Sequence, residues 1–115
     1  MIDRRSSPAF LVLSAALLLP WGAASAQGVD EAAATALMKK SGCLKCHAVS
    51  AKKDGPSFQE TAAKFKGKAD AEQKLRAFIT TSPKIKVDGK EEEHEALKSK
   101  EDAAIKNVVQ YILTR

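Results

Sequence analysis

Residues 43–47 read Cys43-Leu44-Lys45-Cys46-His47, and they hold both cysteines and one of the two histidines of a 115-residue chain. Two thiols three residues apart, followed at once by an imidazole, dictate what a fold built around them must accommodate. C-x-x-C-H is the spacing with which two thiols add across the vinyl groups of a haem, leaving the adjacent histidine placed to bind iron from one face. Other uses of the pair stay open at this point. In an oxidising compartment the cysteines can form a simple disulfide with His47 incidental to it. Zinc is a further use, although two cysteines and two histidines here lack the spacing of a structural zinc site. A thioredoxin-like redox pair needs a βαβ setting that this sequence does not offer.

The start of the chain bears on the compartment. Arg4 and Arg5 lead into the apolar run Ala9–Leu19, and small residues close the segment at Ala24–Ala26. This is the charged, apolar and small-residue order of a secretory signal peptide. The apolar run is shorter than the roughly 20 residues needed to span a bilayer. Arg4-Arg5 lacks the fuller twin-arginine pattern, and no cysteine follows the cleavage site to carry a lipid. The expectation is therefore a cleaved signal over 1–26 and one domain over 27–115, soluble in the periplasm without a membrane anchor. That domain has 89 residues and buries too little apolar surface to be comfortably stable alone, so a covalent cofactor in the core suits it.

Loss of Asp3, Arg4 and Arg5 lowers the formal net charge from +5 to +4. The charge is unevenly placed. Between Lys39 and Lys68 stand eight lysines against two acids, whereas Asp88–Asp102 holds seven acids against three lysines. Such asymmetry concerns docking more than folding. A nucleic-acid partner is disfavoured, because arginine is nearly absent and surface aromatics for base stacking are lacking.

Four helical patterns run through residues 27–115, and no segment shows sustained strand alternation. The first follows Asp30 as N-cap, carries Ala34, Leu37, Met38 and Ser41 on one face, and stops at Gly42. The second begins with the capping box Ser57-Phe58-Gln59-Glu60 and repeats Phe58, Ala62 and Phe65. A third starts at Asp70 with Leu75, Phe78 and Ile79. The last opens on a second capping-box pattern at Ser99, with Ile105, Val108, Val109, Ile112 and Leu113 on one stripe. Between the third and fourth, Pro83–Lys98 reads as a long loop, and loops of that length in small domains are usually functional. It contains His94 among Glu91, Glu92, Glu93 and Glu95.

From Asp30 to the end the chain resembles the class I cytochromes c, particularly the small bacterial periplasmic type. The resemblance rests on the helix before Cys43–His47, on Asp54-Gly55-Pro56-Ser57-Phe58, on two middle helices, on the long loop, and on an apolar last helix containing Tyr111. It implies an all-α fold of about four short helices wrapped around one covalent haem held through Cys43 and Cys46. It implies that the carbonyl of Pro56 steadies His47, and that the first and last helices cross. Leu37 or Met38 would then meet Ile105, Val109 or Tyr111. It also implies a methionine in the long loop as second iron ligand, and here the chain departs from the family. Past the signal it has only Met38, which lies on the apolar stripe of the first helix and reads as core packing.

His94 lies close to where the family places that methionine, which makes bis-histidine ligation by His47 and His94 the leading reading. A vacant or water-filled position, or a lysine from among Lys84, Lys86, Lys90 and Lys98, is the alternative. Ile85, Val87 and Leu97 would supply apolar cover for His94. Glu92, Glu93 and Glu95 would favour its protonated form, so that acid releases His94 before His47. The resemblance implies a one-electron carrier rather than an enzyme, of lowered potential if two imidazoles bind the iron. It would be a monomer meeting redox partner proteins through lysines near the haem edge. The alternative function is a haem protein that binds or senses CO, NO or oxygen at a labile or vacant position.

Overall fold

Asp30 starts the first helix as its sequence predicts, its carboxylate accepting the Ala33 N–H at 2.9 Å. In the computed structural model, which describes residues 28–115, this helix is α1, Glu31–Lys40. The expected signal peptide and its cleavage point lie outside the described residues. Ala34 and Met38 are buried on one face of α1, and Ser41 ends it. The chain then reverses at Gly42, whose φ of +79° is the left-handed conformation that glycine adopts without steric cost.

Helix α2, Phe58–Phe65, carries the predicted capping box in full. The Ser57 hydroxyl accepts the Glu60 N–H at 3.1 Å, and the Glu60 carboxylate accepts the Ser57 N–H at 2.7 Å. Helix α3, Ala71–Thr80, buries Ala71, Leu75 and Ile79. Phe78, grouped with that stripe by sequence, instead stands 42% exposed, because it points about a quarter-turn away from Ile79. Helix α4, Asp102–Leu113, is the most apolar and buries Ile105, Val108, Val109, Tyr111 and Ile112. It begins later than the Ser99 pattern predicts. The Ser99 hydroxyl accepts the Glu101 N–H two residues on, a local turn in place of a capping box, and helical structure starts only at Asp102.

The segment read as a long loop contains a hairpin. Strands β1, Lys84–Val87, and β2, Lys90–Glu93, pair antiparallel with Lys84 opposite Glu93 and Lys86 opposite Glu91. Asp88 and Gly89 form the turn with φ of +48° and +78°. Both central residues left-handed is the primed hairpin turn that Asp-Gly favours. The expectation of no strand is thus corrected, while the architecture stays mostly α, four helices and one two-stranded ribbon among the described residues.

Core residues of α1, α2, α3 and α4 join in one cluster with Leu97. Helix α4 is the hub, packing against each of the other three. At its crossing with α1, Asn107 accepts the Asp30 N–H at 2.9 Å and donates to the Asp30 carbonyl at 2.8 Å. Arg115 adds an ion pair to Glu31 at 2.8 Å and lies over the Tyr111 ring at 4.2 Å. No described helix is long and apolar enough to cross a membrane.

Candidate functional site

Cysteines 43 and 46 lie on a tight turn directly after α1, where Cys43–Lys45 form one turn of 3₁₀ helix. The Cys46 and His47 N–H groups both donate to the Cys43 carbonyl, at 3.3 and 3.1 Å. Neither thiol is in a disulfide, and both are half-buried. Burial pushes the Cys43 thiol up from its ordinary value; its own main chain opposes this, and the charge of Glu95 adds to it. The turn is gripped from outside by the next loop. Gly55 donates its N–H to the Cys46 carbonyl at 2.9 Å, and the Lys53 ammonium donates to the Leu44 carbonyl at 2.9 Å.

The same loop orients His47. Its Nδ1 lies 2.7 Å from the Pro56 carbonyl oxygen. A carbonyl can only accept, so Nδ1 carries the proton and the lone pair is left on Nε2, the arrangement of a metal-binding imidazole. Gly55 makes the approach possible: a Cβ there would lie 2.4 Å from His47 Cε1. Phe58, at the start of α2, lies nearly parallel to the His47 ring at 5.9 Å between centroids.

His94 follows directly on β2, and its main-chain N–H donates to the Pro83 carbonyl at 2.9 Å, extending the hairpin ladder. Three residues on, Leu97 donates to the Ile79 carbonyl at 2.9 Å, and Lys98 donates to the hydroxyl of buried Ser41 at 2.9 Å. The segment is therefore tied to α3 and to the end of α1, two residues before Cys43. These ties bring the His94 ring to 6.0 Å from that of His47, at an interplanar angle of 53°. Phe78 meets it edge-on from α3 at 4.8 Å.

Among the described residues, His94 Nδ1 is the one buried side-chain nitrogen or oxygen without a hydrogen-bond partner. Burial lowers the His94 pKa below its ordinary value, the nearby His47 adds to the effect, and the main chain and carboxylate of Glu95 oppose it. Glu95 thus favours the protonated ring as expected, but burial outweighs it, and the net shift is toward the neutral form. Glu91, Glu92, Glu93 and Glu95 are all exposed, so their charges are screened by water while the ring itself is desolvated.

The residues fit a haem iron. Two imidazoles binding one ion from opposite sides, each nitrogen about 2.0–2.1 Å away, have ring centres roughly 6 Å apart. The His47 and His94 rings stand near that separation, and the half-buried His94 keeps its Nδ1 out of solvent without a partner in the protein. The lysines weighed as alternatives, Lys84, Lys86, Lys90 and Lys98, are all exposed, and Lys84 is turned to Glu91 at 3.0 Å. Met38 is 1% exposed within the core cluster, as its stripe position predicts. Leu97 is buried and Ile85 and Val87 are half-buried.

Sequence reasoning passed over Gly55 as the cradle of His47, Phe78 as the neighbour of His94, and Ser41 as an anchor of the distal segment. Only Gly55 carried a usable signal, as the glycine before Pro56.

Comparison with known proteins identifies the family. The cytochrome c family model matches residues 31–115, from the first residue of α1 to the end of the chain. Cytochrome c-551 of Pseudomonas aeruginosa is 43% identical over 62 residues, which cover 54% of this chain and 60% of that protein. Cytochrome c-551 of Allochromatium vinosum is 44% identical over 43 residues, covering 37% of this chain and 46% of its own length. The chain thus spans about half the length of these curated relatives. Among solved structures, the class 1 cytochrome MtoD of Sideroxydans lithotrophicus ES-1 is 47% identical with a TM-score of 0.72, covering 76% of this chain and 97% of that one. Cytochrome c552 of Nitrosomonas europaea is 30% identical with a TM-score of 0.54, covering 70% and 96%. With all four helices inside the family match and Cys43–His47 at the centre of the site, the chain belongs to the cytochrome c family as a small class I member, and its cofactor is haem c.

Proposed function

We propose that this protein is an exported one-electron carrier whose haem is attached through Cys43 and Cys46 and ligated by His47 and His94. The haem supplies a reversible Fe(III)/Fe(II) couple, and no substrate is transformed. The protein's part is to hold two neutral imidazoles in place, keep water from the iron and set its potential. The observation that carries the reading is the pair of rings with centroids 6.0 Å apart, tilted by 53°, one with its Nδ1 proton fixed on Pro56 and the other with a buried nitrogen unused by the protein.

An imidazole in place of a thioether donates more strongly and favours Fe(III), so the potential lies below that of His/Met relatives. Residues 1–26 act as a signal that delivers residues 27–115 to the periplasm. There the protein works as a monomer, and the exposed lysines between Lys39 and Lys68 steer it to acidic patches on redox partners. The competing reading, a CO, NO or oxygen binder with a vacant position, has no observation in its favour.

Absorption and electron paramagnetic resonance spectra of the purified holoprotein, with and without His94→Ala, test the assignment. The expected result is a low-spin wild type that is inert to CO when reduced, and a His94→Ala variant that turns high-spin and binds CO promptly. Identical spectra for the two proteins would remove His94 from the iron.

A further inference from the structure

The two histidines are held in unlike ways. His47 has the usual arrangement, with its non-ligating nitrogen donating to a carbonyl that fixes both tautomer and rotation. Among the described residues no hydrogen bond like that of His47 to Pro56 holds the His94 ring, whose buried Nδ1 is the nitrogen left free for iron. Its main chain is nevertheless fixed on both sides, by Pro83 before it and by Ile79 and Ser41 after it. Rotation of the ring about its bond to Cβ is the freedom left over. The nearest aromatic ring to the imidazole is Phe78, which meets it at 4.8 Å and 64°.

Phe78 is also poorly accounted for as a core residue. It is 42% exposed, while its neighbour Ile79 is buried in the cluster. A phenyl ring held half in water contributes less to stability than a buried one, but edge-to-face contact constrains the ring it touches. Ile79 and Phe78 act at consecutive positions of α3: the Ile79 carbonyl holds the Leu97 main chain at 2.9 Å, and Phe78 meets the imidazole of the same segment.

We propose that Phe78 is a positioning residue for the distal ligand, setting the rotation of the His94 ring in the role that Pro56 fills for His47. The proposal rests on ligation by His94. It gives one iron two orienting devices of different strength, a directional hydrogen bond on one side and a softer aromatic edge on the other. The His94 side is therefore the more easily rotated and the more easily released.

The test uses holoprotein from export-competent expression, comparing wild type, Phe78→Leu, Phe78→Tyr and His94→Ala. Phe78→Leu keeps apolar bulk without the ring edge, and Phe78→Tyr restores the ring. For Phe78→Leu the ferric low-spin g-values are expected to shift, and CO association with the reduced protein to rise roughly two- to tenfold, the factor an aromatic pair is worth. Phe78→Tyr returns both to wild-type values. A Phe78→Leu protein with wild-type g-values and CO kinetics, whatever its melting temperature, overturns the positioning role. If wild type and His94→Ala already share one spectrum, ligation by His94 fails first and the proposal with it, so the two failures are distinguishable.

Discussion

At the scale of single residues, Gly55 shows how narrow the tolerance of the site is. A methyl group at this position would sit 2.4 Å from His47 Cε1, so Gly55→Ala must push the imidazole away from Pro56 or force the loop outward. Losing the partner that orients a metal-bound histidine typically costs 10–100-fold in affinity. Since a proton competes with iron for the same nitrogen, the acid midpoint for loss of His47 should rise by about 1–2 pH units, read from the absorption spectrum. His94 behaves differently with pH than its neighbours in sequence imply. Its folded-state pKa is depressed, so the fold favours the neutral ring, and the proposed ligation to iron would favour it further. The resulting dependence is flat above the ordinary histidine value of about 6.5; stability and ligation then decline as pH falls from there toward the depressed value. Replacing any one of Glu91, Glu92 and Glu93 by glutamine should move the acid midpoint of distal-ligand loss by less than about 0.7 unit, the most one exposed charge pair gives. A larger shift would return control to the glutamates. The role of His47 was legible in five consecutive residues, because attachment chemistry fixes its spacing. The contact of His94 with Phe78 was not legible, because it depends on the docking of the hairpin against α3, while the nearest neighbours of His94 in the chain are charged and face water.

At the scale of elements, local chemistry predicted what local contacts stabilise. The Asp30 cap, the Ser57 box and the Gly42 stop each depend on atoms within a few residues, and each forms. Ser99 offers the same pattern, yet its hydroxyl is used in a local turn, since the preceding chain is already committed to the Leu97 and Lys98 anchors. The hairpin escaped detection because its second strand, Lys90–Glu93, is exposed at every position and so shows no alternation. Asp88-Gly89 was the available signal. Gly89→Ala imposes a left-handed alanine and should cost about 1–2 kcal/mol. At roughly 4–8 °C per kcal/mol this appears in the melting temperature of the holoprotein, with Asp88→Asn near wild type as control. An unchanged melting temperature would mean that the turn contributes nothing to holding the distal segment. Ser41→Ala leaves the Lys98 N–H without its acceptor, which should cost about 1–3 kcal/mol. Because that bond ties the distal segment to the residue before Gly42, the same variant should bind CO faster when reduced, a change that loss of the α2 cap at Ser57→Ala would not reproduce.

For the molecule as a whole, the question is what the uneven charge does. The eight lysines from Lys39 to Lys68 are exposed, and they flank the attachment turn in sequence on both sides. They are not equivalent. Lys53 donates to the Leu44 carbonyl and so belongs to the grip on the attachment turn, whereas Lys39, Lys40 and Lys45 have no ion pair or hydrogen-bonded partner among the described residues. If the unpaired lysines steer encounters, the second-order rate of electron transfer with an acidic partner protein must fall as salt shortens the reach of their field, which is about 10 Å at 0.1 M ionic strength. Between 10 mM and 500 mM salt the expected loss is roughly tenfold or more, measured by stopped-flow absorption. Lys39→Ala with Lys45→Ala should flatten that dependence at unchanged potential and melting temperature. Lys53→Ala should instead alter the spectrum or stability of the haem site and leave the salt dependence nearly intact. A rate independent of salt in the wild type would assign the lysines to an ordinary solvated surface, and recognition would then have to come from uncharged atoms around the haem edge.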